Sequence, residues 1–206
     1  MLQTLQTLGQ LESVGTKYAV GFNTLEFHQA WDKCTHLREI SLVVREPDLV
    51  QAAFSTPKKY LKKIDLEVLP INIDAPKEIL DTLCKGALYV EEFTMQWYSS
   101  ADSYWKSLQK FFELNKSFLS HVALNGHYSN TKVNEAIKVL LQETSLKEIR
   151  CRGKPDDNLL KTLVKRGIQC REWDVDIYYA ECAKFTRPQT AELAQIAVYD
   201  LSLIHI

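Results

Sequence analysis

The sequence predicts an α/β fold built from repeated strand-and-helix units, and three observations support this prediction. A strand-sized phrase, apolar-x-x-apolar-x-apolar, occurs six times along the 206 residues. The first positions of successive copies lie 24, 29, 29, 27 and 24 residues apart, a period typical of stacked repeats. Between most copies, apolar residues recur every three or four positions, which indicates amphipathic helices.

Each copy of the phrase predicts a half-buried strand, because apolar and polar residues alternate through it. The apolar positions give the predicted sheet a buried face, and the mostly polar positions between them give it an exposed one. The apolar trios are Leu37/Ile40/Leu42, Leu61/Ile64/Leu66, Val90/Phe93/Met95, Leu119/Val122/Leu124, Leu146/Ile149/Cys151 and Cys170/Trp173/Val175. The next inward positions hold Val44, Val68, Trp97, Gly126, Gly153 and Ile177.

Helices are predicted between the strands over residues 48–54, 75–84, 101–114, 131–142 and 157–165. Residues that favour helix N-termini lie at or near the start of four of these helices, namely Asp74, Ser100, Asn130 and Asp156. Pro76 suits the first turn of the helix that follows Asp74. A further helix over residues 23–33 should lead into the first strand.

The two ends of the chain are less regular. Residues 2–11 fit either a helix or an earlier, decayed repeat. Near the C-terminus, residues 188–198 predict a helix, and Val198/Leu201/Leu203 restores the strand phrase. Two interpretations of residues 201–206 stay open: a genuine edge strand, or a non-native tail that resembles translated read-through of a sequencing adapter. Under the second, the chain is a fragment and the protein continues as further repeats.

Composition and cysteine usage narrow the class of protein. A net charge of −1 gives no general attraction to nucleic acid or to an anionic membrane. No apolar run approaches the roughly 20 residues that span a bilayer. Residues 1–10 lack the positive leader and apolar block of a secretory signal. Five cysteines without a C-x-x-C pair are typical of reduced thiols. We therefore expect a cytoplasmic protein.

The repeat pattern resembles the leucine-rich repeat family in its longer, ribonuclease-inhibitor-like form. The stretch Cys34-Thr-His-Leu37-Arg-Glu-Ile40-Ser-Leu42 most resembles the repeats of F-box-type adaptors. The resemblance implies a single solenoid over residues 1–206 with about six repeats, clearest over 34–178. It also implies parallel strands on a concave face and helices on a convex face.

The chain departs from that family at one position of each repeat. The family places Asn or Cys eight residues after the first apolar anchor, where the side chain bonds the backbone of the turn. None of the six residues at this position in the chain is of that kind. They are Arg45, Leu69, Tyr98, His127, Lys154 and Tyr178.

Residue patterns typical of catalysis are missing from the sequence. His121 and His127 have no third ligand near them in sequence, so we expect no metal site. Cys151 and Cys170 occupy anchor positions with no evident base beside them, so both should act as small buried hydrophobes. No phosphate-binding or nucleophile motif is present. We therefore expect neither an enzyme nor a cofactor.

The exposed face of the sheet is the best candidate for function, and the partner expected there is another protein rather than nucleic acid or a membrane. The candidate binding residues are His121, Asn125, Arg150, Arg152, Asp174 and Asp176. An alternative is that Arg150 pairs with Asp174 and Arg152 with Asp176 across neighbouring strands, so that these charges only neutralise each other.

Two other functions stay open at this point. The chain could be the substrate-recognition part of a ubiquitin-ligase adaptor, as the F-box-type resemblance implies. It could also be a small hydrolase or metalloenzyme on a different fold, which one polar pocket with converging histidines and carboxylates would favour. The sequence leaves the oligomeric state open.

Overall fold

The computed structural model describes residues 12–15, 31–44, 47–69, 74–97, 104–126, 130–152 and 156–172. All of them belong to one compact unit, Met1–Trp173, and the second unit, Asp174–Ile206, lies outside the described residues. The predictions for residues 2–11, 188–198 and 201–206 fall outside the described ranges and stay predictions. The same holds for a single solenoid over 1–206.

Seven parallel strands form one sheet, and their order in space is their order in the chain. The sheet and its β-α alternation confirm the predicted α/β class with parallel strands. Six of the strands overlap copies of the repeated phrase. The strand at Ser13–Gly15 was not predicted. The strands are β1 (Ser13–Gly15), β2 (Glu39–Val44), β3 (Lys63–Val68), β4 (Glu92–Trp97), β5 (His121–Asn125), β6 (Glu148–Cys151) and β7 (Gln169–Glu172).

Five helices alternate with strands β2 to β7, close to the predicted ranges. They are α1 (Pro47–Ala53), α2 (Ala75–Gly86), α3 (Trp105–Asn115), α4 (Asn130–Leu140) and α5 (Asp157–Lys165). Helix α5 has the predicted bounds, and Asp156 caps it by accepting the Leu159 N–H at 2.7 Å. Asp74 precedes α2 but makes no such side-chain bond. Of the helix expected over 23–33, residues 31–33 are described and are helical.

The helices pack on one face of the sheet. Connections between neighbouring parallel strands are right-handed, so a chain that always advances to the next strand places its helices on the same side. Successive helices α1 to α4 touch their neighbours, and their buried side chains join the inward strand residues in one core. Phe93 of β4, for example, has its ring 4.7 Å from Phe111 and 6.1 Å from Phe112.

One step of the core pairs the largest side chain with the smallest. Trp97 ends β4 and is 1% exposed, and Gly126 follows β5 in the neighbouring unit. A Cβ atom on Gly126 would lie 2.3 Å from the Trp97 indole, so only glycine lets the two backbones pack with this ring between them. Because protein interiors are close-packed, the size of Trp97 therefore dictates glycine in the next unit.

The sheet begins one strand earlier than the sequence pattern indicated. Strand β1 pairs in parallel with β2, with Val14 opposite Ile40. Strand β1 has three residues and one partly buried apolar side chain. Its alternation of apolar and polar residues is therefore too short to predict a strand from sequence.

The predicted register of the sixth copy was wrong. Cys170 lies opposite Ile149, whereas the phrase placed Trp173 there. Helix α5 ends in a Schellman motif, in which Ile168 N–H donates to Leu163 O at 2.9 Å and Gly167 has φ +71°. This turn is compact, so the chain enters β7 three residues earlier than the phrase implies.

Side-chain donors tie four helix ends to the following unit. The last carbonyl groups of a helix have no partner within it and need an external donor. In four places a side chain of the next unit donates to such a carbonyl, although the four donors share no sequence motif. The donor and acceptor pairs are Lys58 with Trp31, Asn115 with Ala87, Ser145 with Lys116, and Arg166 with Leu141.

Asn115 is the most buried of these donors, at 0% exposure. Its side-chain amide donates to Ala87 O at 3.2 Å and Phe111 O at 3.1 Å, and its side-chain oxygen accepts Val90 N–H at 3.0 Å. These bonds fix the loop between α2 and β4 at both ends. The conformation of residues 88 and 89 between them is therefore set by a residue of the next unit.

Candidate functional site

The open face of the sheet consists of the strand side chains that alternate with the buried rows. It points away from the five helices, and no described element packs over it. Its described members are Ser13, Gly15, Glu39, Ser41, Val43, Lys63, Asp65, Glu67, Glu92, Thr94, Gln96, His121, Ala123, Asn125, Glu148, Arg150, Gln169 and Arg171. Arg152 follows β6 at the next position of the same alternation and is exposed.

Three polar side chains of the open face are buried. Asp65 and Asn125 are each 7% exposed, and Gln96 is 2% exposed. Gln96 and Asn125 lie opposite each other on β4 and β5. The predicted binding residue Asn125 therefore presents little surface to a partner.

Strands β2 to β4 make one end of the open face acidic. Among the described residues, this end carries the carboxylates Glu39, Asp65, Glu67 and Glu92 and one cation, Lys63. The Lys63 ammonium lies 3.6 Å from the Glu92 carboxylate. A partner that contacts this end meets mainly negative charge.

Strands β6 and β7 make the other end of the open face basic. The described charges at this end are the cations Arg150, Arg152 and Arg171 and one carboxylate, Glu148. Arg150 Nε donates to Glu148 Oε1 at 2.6 Å, and Arg171 Nε lies 3.7 Å from the same oxygen. Three arginines and one carboxylate give this end the opposite sign from the β2–β4 end.

Glu148 is held ionised by its surroundings. Its side chain is only 13% exposed. That burial disfavours the charged form, but the hydrogen bond and charge of Arg150, with the charges of Arg171 and His121, outweigh it. The pKa of this carboxyl is therefore lowered. Glu148 thus acts as a fixed anion that orients the arginines.

The register of β7 differs from the prediction, and the expected pairing of Arg150 with Asp174 stays a prediction because Asp174 lies outside the described residues. Arg150 lies opposite Arg171, and its observed carboxylate partner is Glu148 of its own strand. Asp174 and Asp176 lie outside the described residues, so their predicted role stays a prediction. Sequence reasoning missed Arg171, because a three-residue slip changes the face to which each side chain points.

His121 begins β5 and is exposed at the edge of the open face. It lies between Glu92 of β4 and Glu148 of β6 in the strand register. Its ring Nδ1 is 2.8 Å from the hydroxyl of Ser120. The structure thus brings His121 and Arg150 to neighbouring strands on one face, as predicted. His127 lies outside the described residues.

The two cysteines at anchor positions, Cys151 of β6 and Cys170 of β7, differ in burial. Cys151 is buried at 1% exposure, as predicted. Cys170 is half-buried, and a hydrogen bond from the Cys151 thiol lowers the pKa of Cys170 to about 7 against the effect of burial. Burial instead raises the pKa of Cys84 to about 11. Cys170 is therefore less buried and more acidic than expected of an anchor position.

Neither a cluster of metal ligands nor a membrane-spanning helix occurs in the described part of the chain. Within the described ranges, no group of three or more metal-ligating side chains comes together. No helix in this part of the chain has the length and apolar character that crossing a bilayer requires. No protein-family model matches the chain, and no curated protein matches its sequence. The fold defines an α/β protein with a seven-stranded, all-parallel sheet.

Proposed function

We propose that the protein is a non-enzymatic binding module that recognises another protein through the open face of its sheet. The observation that supports this proposal is the charge of that face, acidic over β2–β4 and basic over β6–β7. Complementary charge steers association and fixes the register of a bound partner. The partner would carry basic groups opposite Glu67 and acidic groups opposite Arg171.

We further propose that the units form a leucine-rich-repeat-like solenoid with the open face on its concave side. Strand order equal to chain order and helix contacts between successive units support this architecture. A cytoplasmic location, with thiols that remain reduced, belongs to the same proposal. The four described cysteines are not in disulfides.

The test is a charge reversal at two exposed positions of the open face. Arg152 and Arg171 are exposed, so Arg152→Glu/Arg171→Glu changes the basic end without removing the Arg150–Glu148 pair. The matched control is Lys161→Glu/Lys165→Glu, the same charge change on exposed positions of α5. Each protein is immobilised and used to capture partners from cell extract.

We expect the wild type and the α5 control to capture the same protein, and the arginine variant to lose it. Loss of affinity should be tenfold or more if either arginine is a hot spot, since such residues contribute about 2 kcal/mol or more. Equal capture by the arginine variant would show that the open face is not the binding surface.

A further inference from the structure

The charges of the open face make that face complementary to itself. Its acidic strands, β2 to β4, and its basic strands, β6 and β7, lie on opposite sides of its centre. A half-turn about an axis that runs parallel to the strands, through the centre of the face, exchanges these two sides. A second copy of the chain, turned in this way and placed face to face with the first, would set basic strands over acidic strands on both sides of the axis.

The match extends to single residues when the axis lies between β4 and β5. The half-turn then places β3 over β6, β4 over β5 and β2 over β7. Because the strands are paired in register, residues that share a level on one copy also face each other across the two copies. The facing pairs of β3 and β6 are Lys63 with Glu148, Asp65 with Arg150, and Glu67 with Arg152. Each of these pairs joins opposite charges.

Other positions of the axis lose this match. An axis through β5 would place Glu148 over Glu92, and an axis through β4 would place it over Glu39. Like charges that directly oppose each other are destabilising. An axis one whole strand away in either direction would leave Arg150 and Arg152 with no described carboxylate opposite them. The charge pattern of the described residues therefore selects one arrangement of two copies.

Two sheets can pack face to face in this arrangement. The strands of aligned sheets cross at about 30°. Strands β3 and β6 lie about 7 Å from the axis, so this angle displaces facing residues by about 4 Å, a distance that Glu and Arg side chains can span. The strands from β2 to β7 cover about 29 Å by about 20 Å, so two copies would bury about 1,200 Å² in total. This area is at the lower limit for a specific interface, so we expect a weak, micromolar dimer.

The most accessible charges of the match are those of Glu67 and Arg152. Arg152 is exposed and Glu67 is half-buried. Asp65, by contrast, is only 7% exposed, and Arg150 Nε already donates to Glu148 within one copy. The Glu67–Arg152 pair therefore offers the clearest test of the arrangement.

We propose that the partner of the open face is a second copy of the same chain, in a two-fold symmetric dimer with its axis between β4 and β5. This inference rests on the proposed function, that the open face binds protein, and it names the partner. Because the symmetry repeats every contact, Glu67 of each copy faces Arg152 of the other, so the dimer contains this pair twice.

An exchange of charge between these two positions tests the dimer. Arg152→Glu would place two carboxylates opposite each other at both contacts, and Glu67→Arg would place two guanidinium groups there. An equimolar mixture of the two variants restores opposite charges at both contacts, because the two introduced side chains then face each other. Lys161→Glu on α5 and Glu135→Arg on α4 are the matched controls, with the same charge changes at exposed helix positions.

Association is measured by sedimentation velocity of the purified chain from about 1 μM to about 500 μM, the range of weak affinities. We expect the wild type and both controls to form dimers, and each open-face variant to dimerise at least about tenfold more weakly. Their mixture should recover the wild-type affinity. Dimerisation of the wild type should also weaken as salt is raised, because salt screens the facing charges.

A wild type that stays monomeric up to about 500 μM would overturn the inference. Dimers that both variants leave unchanged, or a mixture that does not recover, would do the same. If the monomeric wild type still captures another protein from extract and Arg152→Glu/Arg171→Glu loses it, the proposed function stands and the partner is not a second copy. If that capture is also unaffected by the arginine variant, both the proposed function and this inference fail.

Discussion

Asn115 should be one of the most sensitive positions in the fold, and Asn115→Ala measures its contribution. The substitution leaves two buried backbone groups, Ala87 O and Val90 N–H, without their side-chain partner. A buried polar group that loses its partner costs about 1–3 kcal/mol, so we expect a loss of about 2–6 kcal/mol. This is a large share of the 5–15 kcal/mol typical of a folded protein.

The free energy of unfolding is measured by urea titration, followed by circular dichroism and tryptophan fluorescence. Asn158→Ala is the control, because Asn158 is exposed on α5 and its loss should change stability by about 0.5 kcal/mol or less. Helix and tryptophan signals should shift together. If Asn115→Ala loses less than about 1 kcal/mol, the reasoning about ties between units is wrong.

Three further predictions concern packing, pH and thiol reactivity. Gly126→Ala should cost about 2 kcal/mol by overpacking the indole beside it, whereas Gly15→Ala, whose Cβ would meet nothing closer than 3.8 Å, should be nearly neutral in the same titration. The lowered pKa of Glu148 means that the native state binds fewer protons than the unfolded chain, so its stabilisation is present at neutral pH and is lost as pH falls below about 4.3. The stability gap between wild type and Glu148→Gln should therefore close in acid, and a gap that stays constant with pH would contradict this. At pH 7.5, mass spectrometry should find iodoacetamide on Cys170 before Cys84, since only the first thiol has a pKa near 7; the reverse order would refute the assignment.

The repeated units were predictable because each one encodes its elements locally. Alternation over six residues defines β2, β3 and β4. Helix α5 has both its boundaries in its own sequence, since Asp156 starts it and Gly167 ends it. Signals of this kind act within a few residues, and a single sequence displays them directly.

The register of β7 was not predictable from the same pattern. Cys170/Trp173/Val175 matches the apolar phrase as well as the other copies do, but the phrase does not contain the length of the preceding turn. The Schellman motif at Gly167 sets that length and brings Arg171 to the open face. The sequence therefore predicted Arg150 and Arg152 at the basic end of the open face but missed Arg171.

Contacts between units also could not be predicted from the sequence. Asn115 binds the loop of the previous unit, 25 and 28 residues away, and forms no repeated motif with Lys58, Ser145 or Arg166. The positive φ of Tyr89 follows from that contact and not from the Tyr side chain. Such features depend on which loops the fold places side by side, and local propensity carries no information about them.

Site-directed photocrosslinking tests the central claim, binding through the open face, most directly. A photoreactive amino acid replaces Thr94, which lies on the central strand of that face, or Lys161 on α5 as control. We predict one discrete crosslinked partner from Thr94, which purified wild type competes away and the Arg152→Glu/Arg171→Glu variant does not. Equal crosslinking from Lys161, or equal competition by the variant, would contradict the account.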